Sequence, residues 1–209
     1  MQADASTWGG IRELVRTYGY GPLEPNTVLL GGVPGEDCAS VILVAAERMK
    51  NAVILRTDDG PLFPDGGPGR IDVWWRGKSE NASFMLAFAV LLQRERAGEG
   101  AEIRLCHLVA EDDSPAEARR RLEQFLKASR VRAEALVIEG GGNAFARISE
   151  ASADSSIVLM GLRPPREGET PASYSGYFDD VLRGTSALPQ AVFVRVAEQM
   201  PFKDIFSVS

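Results

Sequence analysis

Short apolar segments alternate with amphipathic segments along most of this chain. Wholly apolar stretches bounded by turn residues are typical of strands buried on both faces, and apolar stripes at intervals of three and four residues indicate helices. The predicted strands are Thr27–Gly31, Ala52–Arg56, Ile71–Arg76, Glu102–Val109, Ala133–Glu139, Ser156–Leu162 and Ala191–Val196. The predicted helices are Ser6–Tyr18, Glu36–Lys50, Ser79–Arg96 with Ser79 as N-cap, Ser114–Ser129, Asn143–Ala153 and Ala172–Arg183.

This alternation predicts an α/β fold, doubly wound, with a mostly parallel sheet and helices on both faces. A turn-rich stretch, Gly21–Pro25, divides the chain into a connecting helix and linker (1–25) and an α/β domain (26–209). The stretch Asp58–Arg70 contains four glycines and three prolines and is predicted to be a loop. No repeat of fixed period is evident.

Composition and charge exclude several classes of function. The 209 residues carry 23 basic and 29 acidic side chains, a formal net charge of −6, which argues against binding nucleic acid or anionic lipid through a basic face. The longest apolar run, Phe84–Leu92, is far shorter than the roughly 20 residues of a membrane-spanning helix. No signal peptide is evident, and Cys38 and Cys106 lie in no metal-ligand spacing, as expected of buried cytosolic thiols.

Two glycine-rich turns stand where a doubly wound sheet places its functional crevice, after the carboxyl ends of strands. Gly31–Asp37 (GGVPGED) and Gly140–Asn143 (GGGN) could each hold a phosphate at a helix N-terminus. Glu36 and Asp37 place negative charge at the first turn, and Asn143 is a good N-cap. We therefore interpret both as turns with caps. No P-loop motif occurs.

The remaining candidates for chemistry have simpler structural explanations. His107 is the single histidine and has no evident acid partner, so we expect a packed, hydrogen-bonded strand residue rather than a catalytic base. Trp74 and Trp75 are adjacent on a strand and should face opposite sides of the sheet. Three acidic pairs that could hold magnesium are expected to be solvated instead: Asp58–Asp59, Asp112–Asp113 and Asp179–Asp180. No catalytic, cofactor-binding or metal-binding residue is assigned, and we expect the protein not to be an enzyme.

Four segments, in order, resemble one family, the C-terminal cytosolic domain of cation–chloride cotransporters (Na-K-Cl and K-Cl symporters). They are Gly19–Gly31 (GYGPLEPNTVLLG), Ile71–Trp75 (IDVWW), Leu159–Pro164 (LMGLRP) and Leu188–Arg195 (LPQAVFVR). The resemblance runs from about Ser6 to the C-terminus. Phe206-Ser207 lies at the position where chains of this family end. The segment Arg76–Asn81 and the short loop before Ile71 depart from eukaryotic members, which indicates a minimal prokaryotic type.

The resemblance implies a non-catalytic regulatory domain at the cytoplasmic face of the cell membrane, attached to a symporter that moves chloride with sodium or potassium. It implies that the domain forms a homodimer and packs against the transmembrane domain of the same transporter. The transported ions would bind in that membrane part, so no residue of this chain is expected to coordinate them. No nucleic acid partner and no cofactor are expected.

The same family domain is similar in fold to universal stress proteins, whose ATP-binding members carry a G-x-x-G pair after a strand and a G-[ST] shortly beyond. Here Gly161 is followed by Leu162-Arg163-Pro164, and Gly184-Thr185 lies too far along. Proline also removes a backbone N–H. The resemblance therefore implies a nucleotide fold without its nucleotide. The alternative is a free-standing nucleotide-binding protein of the stress-protein type, with Gly31, Gly32, Gly161 and Arg163 around a phosphate.

Overall fold

The computed structural model describes residues 5–19, 24–32, 34–57, 69–75, 81–95, 100–110, 112–188 and 190–197. The helices are α1 (Ala5–Thr17), α2 (Glu36–Glu47), α3 (Ala82–Glu95), α4 (Pro115–Ser129), α5 (Ala144–Ala151) and α6 (Pro171–Gly184). The strands are β1 (Thr27–Gly31), β2 (Asn51–Thr57), β3 (Arg70–Trp74), β4 (Glu102–Val109), β5 (Glu134–Glu139), β6 (Ile157–Gly161) and β7 (Gln190–Arg195). The predicted elements are confirmed to within a few residues at their ends.

Several predictions fall outside the described residues. They are most of the Asp58–Arg70 loop with its Asp58–Asp59 pair, part of the 21–25 linker, the Ser79 cap and the terminal Phe206-Ser207. The division of the chain near residue 25 therefore stays a prediction. In the described part, α1 packs on α2, and its residues Trp8 and Val15 are buried in one hydrophobic core together with residues of α2. No helix of the described part is both long and apolar enough to span a membrane.

The seven strands form one sheet in the order β1-β2-β7-β6-β3-β4-β5. Every neighbouring pair is parallel except β2 and β7, which run antiparallel. Helices α1, α2, α5 and α6 contribute to the core on one face, and α3 and α4 to the core on the other. The predicted fold class, a doubly wound and mostly parallel α/β sheet, is confirmed.

Two parts of the sheet are copies of one βαβ unit. The first unit is β1-α2-β2, the second is β6-α6-β7, and their strands read alike: TVLLG and IVLMG for the outer strands, NAVILR and QAVFVR for the inner ones. The inner strands pair so that Ile54 lies opposite Phe193, and each of these two residues is the equivalent of the other. A pseudo-twofold axis therefore passes through this pair. The two copies differ in helix and loop length, so they produce no fixed period in the sequence.

Hydrogen bonds obey the same pseudo-symmetry. Gly32 N–H donates to the Leu55 carbonyl at 2.7 Å, and at the equivalent place Leu162 N–H donates to the Val194 carbonyl at 2.8 Å. The arginine near the end of each inner strand also reaches across to the chain leaving the other unit's helix. Arg56 donates to the Leu188 carbonyl at 3.0 Å, and the buried Arg195 donates to the Lys50 carbonyl.

Candidate functional site

A crevice opens at the carboxyl ends of the central strands, as expected from the sequence. From β3 the chain proceeds to β4 and β5 on one side and then crosses to β6 on the other, so the strand order reverses at β3. Crevices at such a reversal are the usual ligand sites of open α/β sheets. The cavity there measures about 840 Å³. Its lining combines apolar side chains, the glycines after β5 and the turn after β6, including Met85, Phe145, Ile148, Gly161, Arg163 and Tyr177.

One wall of the crevice is the glycine turn between β5 and α5. Gly140 N–H donates to the Val109 carbonyl at 2.7 Å, and a Cβ at Gly140 would lie 2.2 Å from that oxygen, so only glycine fits. The Asn143 side chain accepts from the N–H groups of Phe145 at 3.0 Å and Ala146 at 3.4 Å. The predicted turn and N-cap are therefore confirmed. Two of the amide groups that could hold an anion at this helix terminus already have a protein partner.

Arg163 is the charged side chain that lines this crevice in the part of the chain that the structure describes. Its guanidinium donates to both carboxylate oxygens of Glu169, at 2.8 and 2.5 Å, and lies over the rings of Tyr177 and Tyr174, 4.3 and 5.1 Å from their centres. This contact lowers the pKa of Glu169 from 4.5 to about 2, with the Arg166 N–H as a further donor to the carboxylate. The crevice's cation is thus paired with a carboxylate of its own chain.

The end of the sheet beside the crevice is held by Asn81. Its Nδ2 donates to the Leu162 carbonyl at 2.9 Å, and its Oδ1 accepts from Val196 N–H at 2.8 Å. Asn81 therefore joins the ends of β6 and β7 to the start of α3. Gly161 permits this contact, since a Cβ there would lie 2.7 Å from the Asn81 amide nitrogen. No local pattern in the sequence marks Asn81, because its partners come from strands about eighty and more positions away.

Below the crevice, the fully buried Asp72 of the IDVWW segment is the centre of a polar network. Its carboxylate accepts from Arg104 Nε and Nη2 at 2.8 and 2.6 Å, from Ser152 Oγ at 2.7 Å and from Ser155 Oγ at 2.6 Å. Ser152 in turn accepts from the Trp74 indole N–H at 3.0 Å. The pairing with Asp72 raises the pKa of Arg104. Every oxygen of this buried carboxylate is satisfied by its own chain, so the network holds β3, β4 and the end of α5 together.

His107 and the tryptophans are packed as predicted. The imidazole Nδ1 lies 2.6 Å from the Trp75 carbonyl, which can only accept, so this nitrogen carries the proton. Trp74 belongs to one core and Trp75 packs against the other, which confirms that they face opposite sides of the sheet. Cys38 and Cys106 are buried, and burial raises the pKa of the Cys106 thiol. Among the described residues, no group of three or more His, Cys, Asp or Glu side chains could hold a metal ion.

The glycine turn after β1 is also occupied by a side chain of the protein. Gly35 N–H, just before α2, donates to Asp179 Oδ1 of α6 at 3.0 Å, and Ser175 Oγ donates to the other oxygen at 3.2 Å. Asp179 is therefore a cap between helices and not the solvated acid that was expected. Its neighbour Asp180 is exposed and pairs with Arg183, as a solvated acid should.

The four residues of the nucleotide-binding alternative do not form one site. Gly161 and Arg163 line the crevice, whereas Gly31 and Gly32 lie at the end of β1, three strand spacings away, about 14 Å. Because β1 runs antiparallel to β6, the two pairs also lie towards opposite ends of the sheet. The grouping of these residues around one phosphate, which the nucleotide-binding alternative requires, is wrong for this reason.

Comparison with known proteins finds similarity in structure alone. No model of a known protein family matches the sequence, and no curated protein matches it. The chain is similar to the crystal structure of the cytoplasmic domain of a prokaryotic cation chloride cotransporter, with a TM-score of 0.62 and 11% identity over 95% of this chain and 73% of that one. A universal stress protein from Archaeoglobus fulgidus DSM 4304 gives a TM-score of 0.47 and 12% identity over 82% of this chain and 61% of that one. The first likeness agrees with the α/β fold described above.

Proposed function

We propose that this chain is a non-catalytic regulatory and dimerisation domain of a membrane symporter of the cation–chloride type. The observation that carries the proposal is the likeness in fold, over 95% of the chain, to the cytoplasmic domain of a prokaryotic cation chloride cotransporter. The four resembling segments support it independently, because they occur in the family's order and include IDVWW and PNTVLLG. In this proposal the domain lies at the cytoplasmic face of the membrane.

The polar groups at the crevice and at the turn after β1 favour a role in contacts over a role in chemistry. Arg163 is paired with Glu169, and the amides entering α2 and α5 are bonded to Asp179 and Asn143. A phosphate entering the crevice would have to displace a carboxylate from a bidentate ion pair. The domain would therefore act by packing against a second copy and against the membrane part, so that it favours some conformations of the transporter over others.

The proposal is tested on the complete gene product. We expect the reading frame preceding the first codon to encode about twelve apolar segments of about 20 residues each. Chloride-dependent uptake of potassium or sodium into vesicles should then need the membrane part, while deletion of the present domain should change the rate and leave the apparent affinity for the ions unchanged. A gene product without membrane spans, or an ion affinity that falls with the deletion, contradicts the proposal. Light scattering on the purified domain tests the dimer.

A second function, nucleotide binding, is favoured by one observation, the cavity of about 840 Å³ at the reversal of strand order. Titration of ATP into the purified chain by calorimetry separates the two functions. The regulatory proposal expects no heat of micromolar binding, because the crevice offers a paired arginine and capped amides. The matched variant Glu169→Gln leaves Arg163 without its carboxylate, and any gain of ATP affinity there would show that the ion pair is what closes the site to phosphate. Micromolar binding by the unaltered chain would favour the nucleotide-binding function.

A further inference from the structure

Basic side chains are concentrated on α4 and on the turn that follows it. The segment 115–132 holds six of the 23 basic residues of the chain and two of its 29 acidic residues, Glu117 and Glu123. The formal charge of this segment is therefore +4, and the rest of a chain whose net charge is −6 carries −10. The six basic residues are Arg119, Arg120, Arg121, Lys127, Arg130 and Arg132.

The charges on this segment are exposed and unpaired. All six basic residues and both acidic ones lie at the surface. Within the part of the chain that the structure describes, none of the eight is in an ion pair, whereas Arg12, Arg104 and Arg163 on other elements each pair with a carboxylate. Unpaired like charges that are gathered on one surface attract an anionic partner.

The neighbouring helix, α3, carries apolar side chains on its outer side. Leu91 is 47% exposed, and Phe84 and Phe88 are only partly buried. Positions 84, 88 and 91 are separated by four and three residues, so they lie on one side of the helix. The rings of Phe84 and Phe88 stack with their centres 6.5 Å apart. These three residues therefore form an apolar ridge along α3.

The apolar ridge of α3 and the basic residues of α4 lie on neighbouring helices. Both helices cover the same face of the sheet, and both contact β4. Because β3, β4 and β5 run parallel, the helices that connect them run in the same direction, and their carboxyl ends lie at the same end of the sheet. Leu91 is near the end of α3, and Lys127 is near the end of α4. We call the ridge and the six basic residues together the α3–α4 face.

We propose that the α3–α4 face binds the surface of a membrane that contains anionic lipid. The basic side chains would lie among the headgroups, which their long aliphatic stems allow them to reach. Leu91 and the phenylalanine rings would contact the apolar layer immediately below. A lipid surface presents anions and apolar groups together, which is the combination that this face fits. A nucleic acid fits less well, because its phosphates would leave the apolar ridge uncovered.

The net charge of the whole chain argues against a basic face only as an average. Charges interact with a surface over about one Debye length, about 10 Å at 0.1 M salt. Asp112 and Asp113 precede the first turn of α4, about 20 Å from Arg130 along a helix that rises about 1.5 Å per residue. Glu102 and Glu134 are the exposed acids that begin β4 and β5, at the basic end of α4. These two acids leave the six basic residues in excess, so the local charge stays positive.

Sedimentation with vesicles tests this proposal. The purified chain is mixed with phosphatidylcholine vesicles that contain about 30% phosphatidylserine, at about 0.1 M salt, and with vesicles of phosphatidylcholine alone. We expect binding to the anionic vesicles only. The triple variant Arg120→Gln, Lys127→Gln, Arg132→Gln should lower the partition coefficient about a hundredfold, since each basic side chain near an anionic surface contributes about fivefold.

The matched control removes the same amount of charge elsewhere. It is the triple variant Arg147→Gln, Arg166→Gln, Arg183→Gln, whose three positions are exposed. Arg147 and Arg183 belong to α5 and α6, which cover the opposite face of the sheet. Because these charges lie more than a Debye length from the proposed contact, the control should bind the anionic vesicles within about threefold of the unaltered chain.

A fluorescent label shows which surface meets the lipid. Both natural cysteines are buried, so a dye that brightens in apolar surroundings can be attached to Leu91→Cys alone. Its emission should rise with the anionic vesicles and stay unchanged with phosphatidylcholine alone. The same dye on Ala172→Cys, an exposed position of α6, should not respond to either.

Each other outcome overturns the proposal. Absence of binding to the anionic vesicles, equal binding to both kinds of vesicle, or an equal loss in the two triple variants excludes the basic residues of α4 as the contact. Tighter binding to a single-stranded oligonucleotide than to the vesicles identifies nucleic acid as the partner. A dye response at Leu91→Cys that needs protein concentration and no lipid identifies a second copy. The vesicle assay uses this chain alone, so a gene product without membrane spans would refute the transporter proposal and leave this one standing.

Discussion

Replacing Asp72 by asparagine removes the charge at the centre of the buried network while keeping the size of the side chain. The carboxylate accepts four hydrogen bonds, two of them from Arg104, and has no exposed surface. Breaking one side of a buried, hydrogen-bonded ion pair costs about 3–5 kcal/mol, because the remaining charge keeps its desolvation penalty. We expect Asp72→Asn to lower the free energy of unfolding by about 3 kcal/mol, near the lower limit, because Arg104 keeps the Ala151 carbonyl as an acceptor.

The assay is urea unfolding followed by tryptophan fluorescence, with Trp74 reporting from inside the network through its bond to Ser152. Asp72→Asn combined with Arg104→Met should be more stable than Asp72→Asn alone by at least about 1 kcal/mol, since an apolar side chain leaves no unpaired charge. The matched control, Asp180→Asn, breaks an exposed pair with Arg183 and should cost less than about 0.5 kcal/mol. A loss under about 1 kcal/mol for Asp72→Asn, or no recovery in the double variant, would refute the reasoning.

Two further predictions concern the crevice. In the folded protein the pKa of Glu169 is about 2 against an ordinary 4.5, so its ion pair with Arg163 stabilises fully above pH 4.5 and is lost as pH falls through 2. Glu169→Gln should remove this part of the pH dependence of the free energy of unfolding. The part removed should be about 1 kcal/mol, because Arg163 is partly exposed to solvent. A pH profile identical to that of the unaltered chain would contradict this prediction. Gly140→Ala should lower the melting temperature by several degrees, since its Cβ would press on the Val109 carbonyl. Gly31→Ala, whose Cβ would meet no described residue within 4 Å, should leave the melting temperature nearly unchanged. Equal melting temperatures for the two alanine variants would count against the close contact.

The sequence predicts the fold well because local patterns determine its elements. The apolar strands and the capped helix N-termini can be predicted from a few neighbouring residues. The cap at Asn143 and the packing of His107 are predicted from equally short segments. The contacts that define the site are different. Asp179 reaches Gly35 across 144 positions, and the ion pair of Glu169 depends on how the turn after β6 folds. No local pattern specifies such partners, so the acid that caps α2 was mistaken for a solvated one.

The internal repeat explains why the nucleotide-binding alternative placed Gly31 and Gly161 in one phosphate site. Both end an apolar strand and precede a helix, since they are equivalent residues of two copies of one unit. When such a glycine turn occurs twice in a sequence, the two turns can be mistaken for parts of one ligand site. The pseudo-twofold axis through Ile54 and Phe193 instead turns the copies in opposite directions, so their carboxyl ends open at opposite ends of the sheet. Each unit can therefore form a crevice only with its own outer neighbour, and the second unit forms one where β6 lies beside β3.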